Sequence, residues 1–250
     1  MSSGLDWTFA WAVEAGKGKT EAQDACLATT LPNGAVAVAA ADGAGSTVHG
    51  GVGARIACEV FGRSAGELLE LATDDEIRSR SRAFLADTLA EISAVAAEAD
   101  RPISDFATTF VGVVADESRV VTVQIGDGAA VAGLSDGLAL IAKPMATEFV
   151  NVTRFLTDKD AEDRLVVEVF LQAANRICAF TDGLQPLIVD ERTQEPHAPF
   201  FERVFSVLVG ASEEPFDERA SAWLSKMLSG DPVQKRTDDD TSIVVARRLP

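Results

Sequence analysis

The sequence contains little histidine and cysteine: among its 250 residues are two His and three Cys. Cys26, Cys58 and Cys178 are odd in number and far apart in apolar stretches. This pattern favours reduced, buried thiols in a cytosolic protein over a disulfide framework. A catalytic cysteine would need a positioned histidine, and only His49 and His197 are available. We therefore expect both histidines and all the cysteines to have ordinary structural roles.

Basic residues are also scarce, with 22 Lys and Arg against 39 Asp and Glu and a formal net charge of −17. A nucleic-acid surface needs clustered Lys and Arg, so this charge argues against a nucleic-acid partner. The same negative field means that an anionic substrate requires a locally positive site, and bound metal ions would supply one.

Long apolar runs are missing as well. No window approaches the ~20 apolar residues of a membrane helix, and the segment Met1–Trp7 has no secretory pattern. We also find no linker, repeat or low-complexity tract. These absences predict a soluble, cytoplasmic protein without a membrane partner, folded as a single domain over residues 1–250.

Runs of apolar residues at strand spacing occur in two groups, and Ala35–Ala41 is apolar throughout, which indicates burial on both faces. The predicted strands are Trp7–Val13, Ala25–Leu31, Ala35–Ala41, Thr108–Ala115, Arg119–Ile125, Ala129–Leu134, Leu138–Ala142, Leu165–Leu171, Arg176–Phe180 and Ser242–Ala246. Leu165–Leu171 and Arg176–Phe180 read as a hairpin joined near Ala173-Ala174.

Helical spacing predicts one helix pair between the strand groups and another near the end of the chain. The predicted helices are Val48–Leu71, a second that begins at a capping box Thr73–Glu76, Pro199–Val209 and Asp217–Leu228. Strands, helix pair, strands, helix pair and a last strand do not alternate as βαβ units do. This order favours an α+β fold of antiparallel sheets packed together with helices outside.

The chemically informative residues are aspartates at the ends of apolar strands. Asp42-Gly43 and Asp182-Gly183 each end a strand without a returning strand after them, whereas Asp136-Gly137 lies between two strands and reads as a turn. Asp24 precedes the second strand, and Asp127-Gly128 follows the strand that ends at Ile125.

The run Asp238–Asp240 precedes the last strand. It is either a solvated charge run or part of a carboxylate cluster. At ~4 Å and an effective dielectric near 20, each like-charge pair costs about 4 kcal/mol. Divalent ions remove that cost, and hard oxygen ligands select Mg²⁺ or Mn²⁺ over zinc.

In this order the motifs resemble the type 2C metal-dependent protein phosphatase family (PPM) in its compact bacterial form. The resemblance covers nearly the whole chain. It implies the fold of that family, a four-layer αββα sandwich of two antiparallel sheets flanked by helix pairs. The stretches that carry it are Gly18–Ala25, Ala37–Ala54, Ala107–Phe110, Ile125–Gly128, Glu148–Thr157, Ala179–Leu184 and Thr237–Val245.

The resemblance also implies residue roles. Asp42 would bridge two Mn²⁺ or Mg²⁺ ions, and the Gly43 carbonyl would bind one of them. Asp182 and Asp238 would hold the other. Asp24 would order the water around the metals, and Asp127 would bind a third, weaker ion. A water activated between the two ions would then hydrolyse phosphoserine and phosphothreonine in proteins without a covalent intermediate.

Three positions depart from the family pattern. Lys19 stands where many members have an arginine that grips the phosphate, and an ammonium offers a point charge instead of a bidentate fork. Animal members have an acidic residue and a histidine where this chain has Gln23 and Ala44. We therefore assign no histidine general acid, and we include Lys19 with Asp42 and Asp24 among the expected catalytic residues.

Within the resembling stretches, Asn151, Thr153 and Phe155 are expected to be structural or to form a wall of the substrate cleft. The region Ala142–Phe149 is a candidate for a flap near the site. The implied partner is a phosphorylated protein, such as a serine/threonine kinase or its targets. Two alternatives remain: a weak or inactive phosphoprotein-binding module, and a phosphatase of a small phosphorylated metabolite.

Overall fold

The computed structural model describes residues 7–145, 153–190, 192–208 and 214–249. In chain order the strands are β1 (Trp7–Glu14), β2 (Ala25–Thr30), β3 (Val36–Ala41), β4 (Phe110–Ala115), β5 (Val120–Ile125), β6 (Ala129–Leu134), β7 (Gly137–Ala142), β8 (Val166–Phe170), β9 (Arg176–Phe180), β10 (Val189–Asp190), β11 (Glu195–Pro196) and β12 (Thr241–Arg248). The helices are α1 (Gly50–Glu70), α2 (Asp74–Glu98), α3 (Ala161–Arg164), α4 (Gln185–Ile188), α5 (Ala198–Ser206), α6 (Glu218–Leu228) and α7 (Asp231–Gln234).

Ten of the strands form two five-stranded antiparallel sheets. The first sheet has the order β1-β12-β9-β6-β7, and the second has the order β2-β3-β4-β5-β8. Helices α1 and α2 pack on the outer face of the second sheet, and α5 and α6 pack on the outer face of the first. The predicted αββα sandwich is therefore confirmed.

Strand β3 shows how the layers are specified. Side chains alternate between the two faces of a strand. Val36, Val38 and Ala40 accordingly pack into the core between the sheets, whereas Ala37 and Ala39 pack under the helices. Both faces of β3 are buried, which explains why the run is apolar throughout.

The capping box predicted at the start of α2 is confirmed. The Thr73 hydroxyl accepts a hydrogen bond from the Glu76 amide (3.3 Å), and the Glu76 carboxylate accepts one from the Thr73 amide (3.0 Å). The turn predicted at Asp136 is also present, since Leu134 pairs with Gly137 across it. None of the helices in the described ranges has the length and apolar character needed to span a membrane.

The hairpin predicted near Ala173-Ala174 is wrong. Strand β8 pairs with β5 in the second sheet, whereas β9 pairs with β12 and β6 in the first. The connection crosses between the sheets: Ala174 is buried in the core between them, and the Asn175 amide bonds to the Gly133 carbonyl of β6 (3.0 Å). A short link between two strands therefore does not imply that they pair.

Candidate active site

Asp42 and Gly43 follow the last residue of β3 and are held by backbone contacts. The Thr109 amide and the Thr108 hydroxyl donate to the Asp42 carbonyl (2.8 and 2.9 Å). A Cβ at Gly43 would collide with the backbone of Gly50, the first residue of α1. Glycine is therefore required here, because any side chain would push α1 away from the end of β3.

Asp24 lies beside Asp42 because of strand register. Ala25 of β2 is paired with Ala41 of β3, so the residue before one strand meets the residue after the other. The Thr181 hydroxyl donates to Asp24 Oδ2 (2.7 Å), whereas Asp24 Oδ1 is buried without a hydrogen-bond partner.

Asp24 and Asp42 lie close enough to influence each other electrostatically, and their pKa values are both raised. For Asp42 the first cause is burial, followed by the charges of Asp24 and Asp182. For Asp24 burial raises the pKa, and the hydrogen bond from Thr181 offsets part of that effect. These carboxyls therefore lie in a region of strong negative potential.

Asp182 reaches the same region from the end of β9. Burial, and then the charges of Asp127, Asp239 and Asp24, raise its pKa to about 7. A Cβ at the next residue, Gly183, would collide with the carbonyl oxygen of Asp240. Because Gly183 has no side chain, the turn that follows β9 can lie directly against the segment that leads into β12.

Asp127 lies where the chain crosses from β5 in the second sheet to β6 in the first. The Thr153 hydroxyl donates to its Oδ2 (3.0 Å), and its Oδ1 is buried without a partner. Burial is the main cause of its raised pKa. The predicted cleft-wall residue Thr153 thus orients Asp127, whereas Asn151 and residues 146–149 of the predicted flap lie outside the described residues.

The three consecutive aspartates before β12 have three different environments. Asp238 is directed outward, with its side chain 86% exposed and 4.0 Å from Lys17 Nζ. Asp239 faces the site, and its charge contributes to the raised pKa of Asp42, Asp127 and Asp182.

Asp240 is buried and acts as a backbone clamp. Its Oδ1 accepts from the Gly16 amide and its Oδ2 from the Gln23 amide, both at 2.8 Å. This contact ties the loop that carries Lys19 to the segment that carries Asp24.

The structure does not favour the prediction that Asp238 is a metal ligand, because its side chain is largely exposed and Asp239 is the residue of this run whose charge raises the pKa values of Asp42 and Asp182. Asp239 and Asp240 were missed. The bend at Asp239, where its amide bonds to the Thr237 hydroxyl (3.2 Å), interrupts the extended chain, so strand alternation cannot be counted back from β12. No pattern in the sequence distinguishes the three acids.

Lys19 lies beside Asp239 and Asp240, and these carboxylates already engage its ammonium. Its Nζ is 2.8 Å from Asp239 Oδ1 and 3.1 Å from Asp240 Oδ1. Burial lowers its pKa, but the hydrogen bonds to these two carboxylates outweigh burial, and the pKa is raised.

The donor set suits a hard divalent cation. It consists of carboxylate oxygens, two of which, Asp24 Oδ1 and Asp127 Oδ1, are buried and lack hydrogen-bond partners. Among the described residues, no three His, Cys, Asp or Glu side chains converge as a ready ligand cluster. Oxygen ligands of this type favour Mg²⁺ or Mn²⁺.

The thiols lie outside this chemistry. Burial raises the pKa values of Cys26, Cys58 and Cys178, and all three are free cysteines. Protonated, buried thiols are poor nucleophiles. His49 stacks on Phe106, with ring centroids 4.9 Å apart.

Comparison with known proteins agrees with this geometry. A family model described as "Protein phosphatase 2C" matches residues 15–229. Serine/threonine-protein phosphatase 3 of Escherichia coli (strain K12) is 36% identical over 220 residues, which cover 84% of this chain and 83% of that protein.

Solved structures share the fold at low sequence identity. The S. agalactiae serine/threonine phosphatase has a TM-score of 0.66 at 12% identity, over 97% of this chain and 100% of that chain. Stp1 from Staphylococcus aureus has a TM-score of 0.63 at 16% identity, over 100% and 98%. The chain belongs to the protein phosphatase 2C family, whose members are metal-dependent protein serine/threonine phosphatases.

Proposed function

We propose that this protein hydrolyses phosphoserine and phosphothreonine in protein substrates with two or three Mn²⁺ or Mg²⁺ ions held by its carboxylate cluster. One observation carries the proposal. Asp24, Asp42 and Asp182 come from three separate segments, yet they lie close enough to raise the pKa of Asp42. Folding such acids together is unfavourable unless a cation binds them.

The proposed ligands are Asp42, the Gly43 carbonyl, Asp182 and Asp239, with Asp239 in place of Asp238. Asp127 would hold a further ion, and Asp24 would order the surrounding water. When bound, the ions lower the pKa of a coordinated water and neutralise charge on the phosphate.

The chain's own residues position these groups. Thr181 fixes Asp24 through the hydrogen bond to Oδ2, and Asp240 fixes the Gln23 backbone next to it. Lys19 is the proposed phosphate-binding cation. Its ammonium pairs with Asp239 and Asp240 at the edge of the proposed ligand set, where it would offer a point charge to a phosphate oxygen.

The phosphatase assay compares Asp239→Asn with Asp238→Asn, using p-nitrophenyl phosphate and a phosphothreonine peptide with Mn²⁺. We expect Asp239→Asn and Asp42→Asn to lose at least about a hundredfold in kcat/KM, because each removes a proposed ligand. Asp238→Asn is the matched control and should stay close to the unsubstituted protein. Chelator should abolish turnover.

Equal losses in Asp238→Asn and Asp239→Asn would contradict the assignment of Asp239. No turnover with any metal would favour a phosphoprotein-binding module, and a higher kcat/KM on small phosphorylated metabolites than on phosphopeptides would favour a metabolite phosphatase. Within the proposed function, a serine/threonine kinase or its targets are the expected natural substrates.

A further inference from the structure

A groove of about 740 Å³ runs across the outer face of the helices that cover the first sheet. Its lining comes from α4, α5, α6 and α7. Leu187, Phe200, Trp223 and Met227 line it, and each is partly exposed while packing against the core beneath. The groove therefore presents apolar side chains to a partner without exposing the core itself.

The rim of this groove is basic. Arg203, Lys226 and Arg236 line it together with His197, and no Asp or Glu does so. In the described part of the chain, none of these three cations has a carboxylate within the 4.0 Å of an ion pair. Such a concentration of cations stands out in a chain with 39 acidic and 22 basic residues.

The groove also adjoins the carboxylate site. Leu184 lies two residues after Asp182, and Arg236 lies three residues before Asp239. Since an extended chain advances at most ~3.6 Å per residue, these lining residues are within roughly 7 and 11 Å of the site aspartates. A polypeptide with its phosphate at the site would need to span about this distance to place its flanking residues in the groove.

We propose that this groove binds an acidic segment of the phosphoprotein substrate that carries an apolar side chain. The inference rests on the proposed function and adds a substrate class to it: phosphoserine or phosphothreonine flanked by acidic and apolar residues. The apolar side chain lies among Phe200, Trp223 and Met227, and the acids face Lys226 and Arg236. The rim also attracts such a segment against the negative field of the protein.

The binding test uses a fluorescein-labelled, unphosphorylated peptide in which Leu and Phe alternate with Asp and Glu. A matched peptide has Lys in place of the acids. We expect the acidic peptide to bind at least about tenfold more tightly, and Lys226→Glu to weaken it about tenfold. Lys226 is exposed in the last turn of α6, so its substitution should lower the melting temperature only slightly, through the unfavourable charge at the helix C-terminus.

Arg78→Glu is the matched control. Arg78 is exposed on α2, in the opposite helix layer, and its substitution by Glu makes the same charge change there. It should leave acidic-peptide binding within about twofold. Equal binding of the two peptides, or equal effects of Lys226→Glu and Arg78→Glu, would overturn the groove proposal.

Measurements of turnover with two substrates distinguish a failure of the groove proposal from a failure of the proposed phosphatase activity. The readout is kcat/KM for a phosphothreonine peptide with acidic and apolar flanks, divided by kcat/KM for p-nitrophenyl phosphate. This ratio should fall about tenfold in Lys226→Glu, and an unchanged ratio would overturn the groove as a substrate site. Absent p-nitrophenyl phosphate turnover would contradict the phosphatase assignment, while the peptide-binding arm would still decide the groove.

A different occupant is also detectable. If the protein forms a dimer in solution that Lys226→Glu or Trp223→Ala dissociates, the groove belongs to a second copy of the chain. That result would overturn the proposal for a substrate segment.

Discussion

Asp238, Asp239 and Asp240 are chemically identical residues with different surroundings. One side chain meets solvent and Lys17, the next meets Lys19 and the carboxylate site, and the third is enclosed by backbone amides. The physical difference is the number of fixed donors around each carboxylate. A buried acid that satisfies two amides supports the fold, whereas an acid that faces other acids is suited to a cation.

This difference predicts separate effects on stability. Asp240→Ala should lower the free energy of unfolding by about 2–3 kcal/mol, because the Gly16 and Gln23 amides lose their acceptor. Asp238→Ala should change it by less than about 0.5 kcal/mol. Urea denaturation of the metal-free proteins measures both, and similar losses in the two variants would contradict the clamp.

At the scale of secondary structure, close approach of backbones decides how the elements join at the site. Helix α1 begins against the end of β3 and also packs on the segment before β4, and both contacts depend on glycines. A Cβ at Gly53 would collide with the Phe106 carbonyl oxygen, whereas a Cβ at Gly66 on the same helix would meet Leu31 at an ordinary 3.8 Å.

Gly53→Ala should therefore lower the free energy of unfolding by about 1–3 kcal/mol through overpacking, despite alanine's better helix propensity. Gly66→Ala is the internal control and should raise stability by up to about 1 kcal/mol, because only the propensity changes. Thermal or urea unfolding of the two variants gives the comparison, and stabilisation by both would show that α1 has room to move.

The spacing of apolar residues predicted most strand and helix positions, because each buried face requires apolar side chains at regular intervals along the sequence. The strands β6 and β9 were predicted at their observed bounds. The strands with which β8 and β9 pair were not predictable in the same way. An apolar strand can satisfy its hydrogen bonds in either sheet.

Over the whole molecule the net charge is −17, but two regions differ in the sign of the ligand that they favour. One is the carboxylate site, where a cation would relieve repulsion among buried acids. The other is the basic rim of the groove. We infer that bound cations and the basic rim together would attract a phosphorylated, acidic partner against the overall negative field of the protein.

Metal binding should therefore stabilise the whole fold. At ~100 times Kd, Mn²⁺ should add about 2.7 kcal/mol, which for a chain of this length raises Tm by roughly 5–10 °C. Differential scanning fluorimetry at matched ionic strength measures the shift, and Asp42→Asn should largely remove it. An unchanged Tm at millimolar Mn²⁺ would count against the proposed site.

Burial patterns and strand-end aspartates are local properties of the chain, so the order of amino acids was enough to predict antiparallel sheets with helices outside and to single out aspartates as the chemically informative residues. Which sheet receives β9, which of three adjacent acids faces Asp42, and where an apolar groove with a basic rim forms are properties of the folded chain alone. Those outcomes depend on which distant segments pack together, and packing partners leave no periodic signal along a single chain.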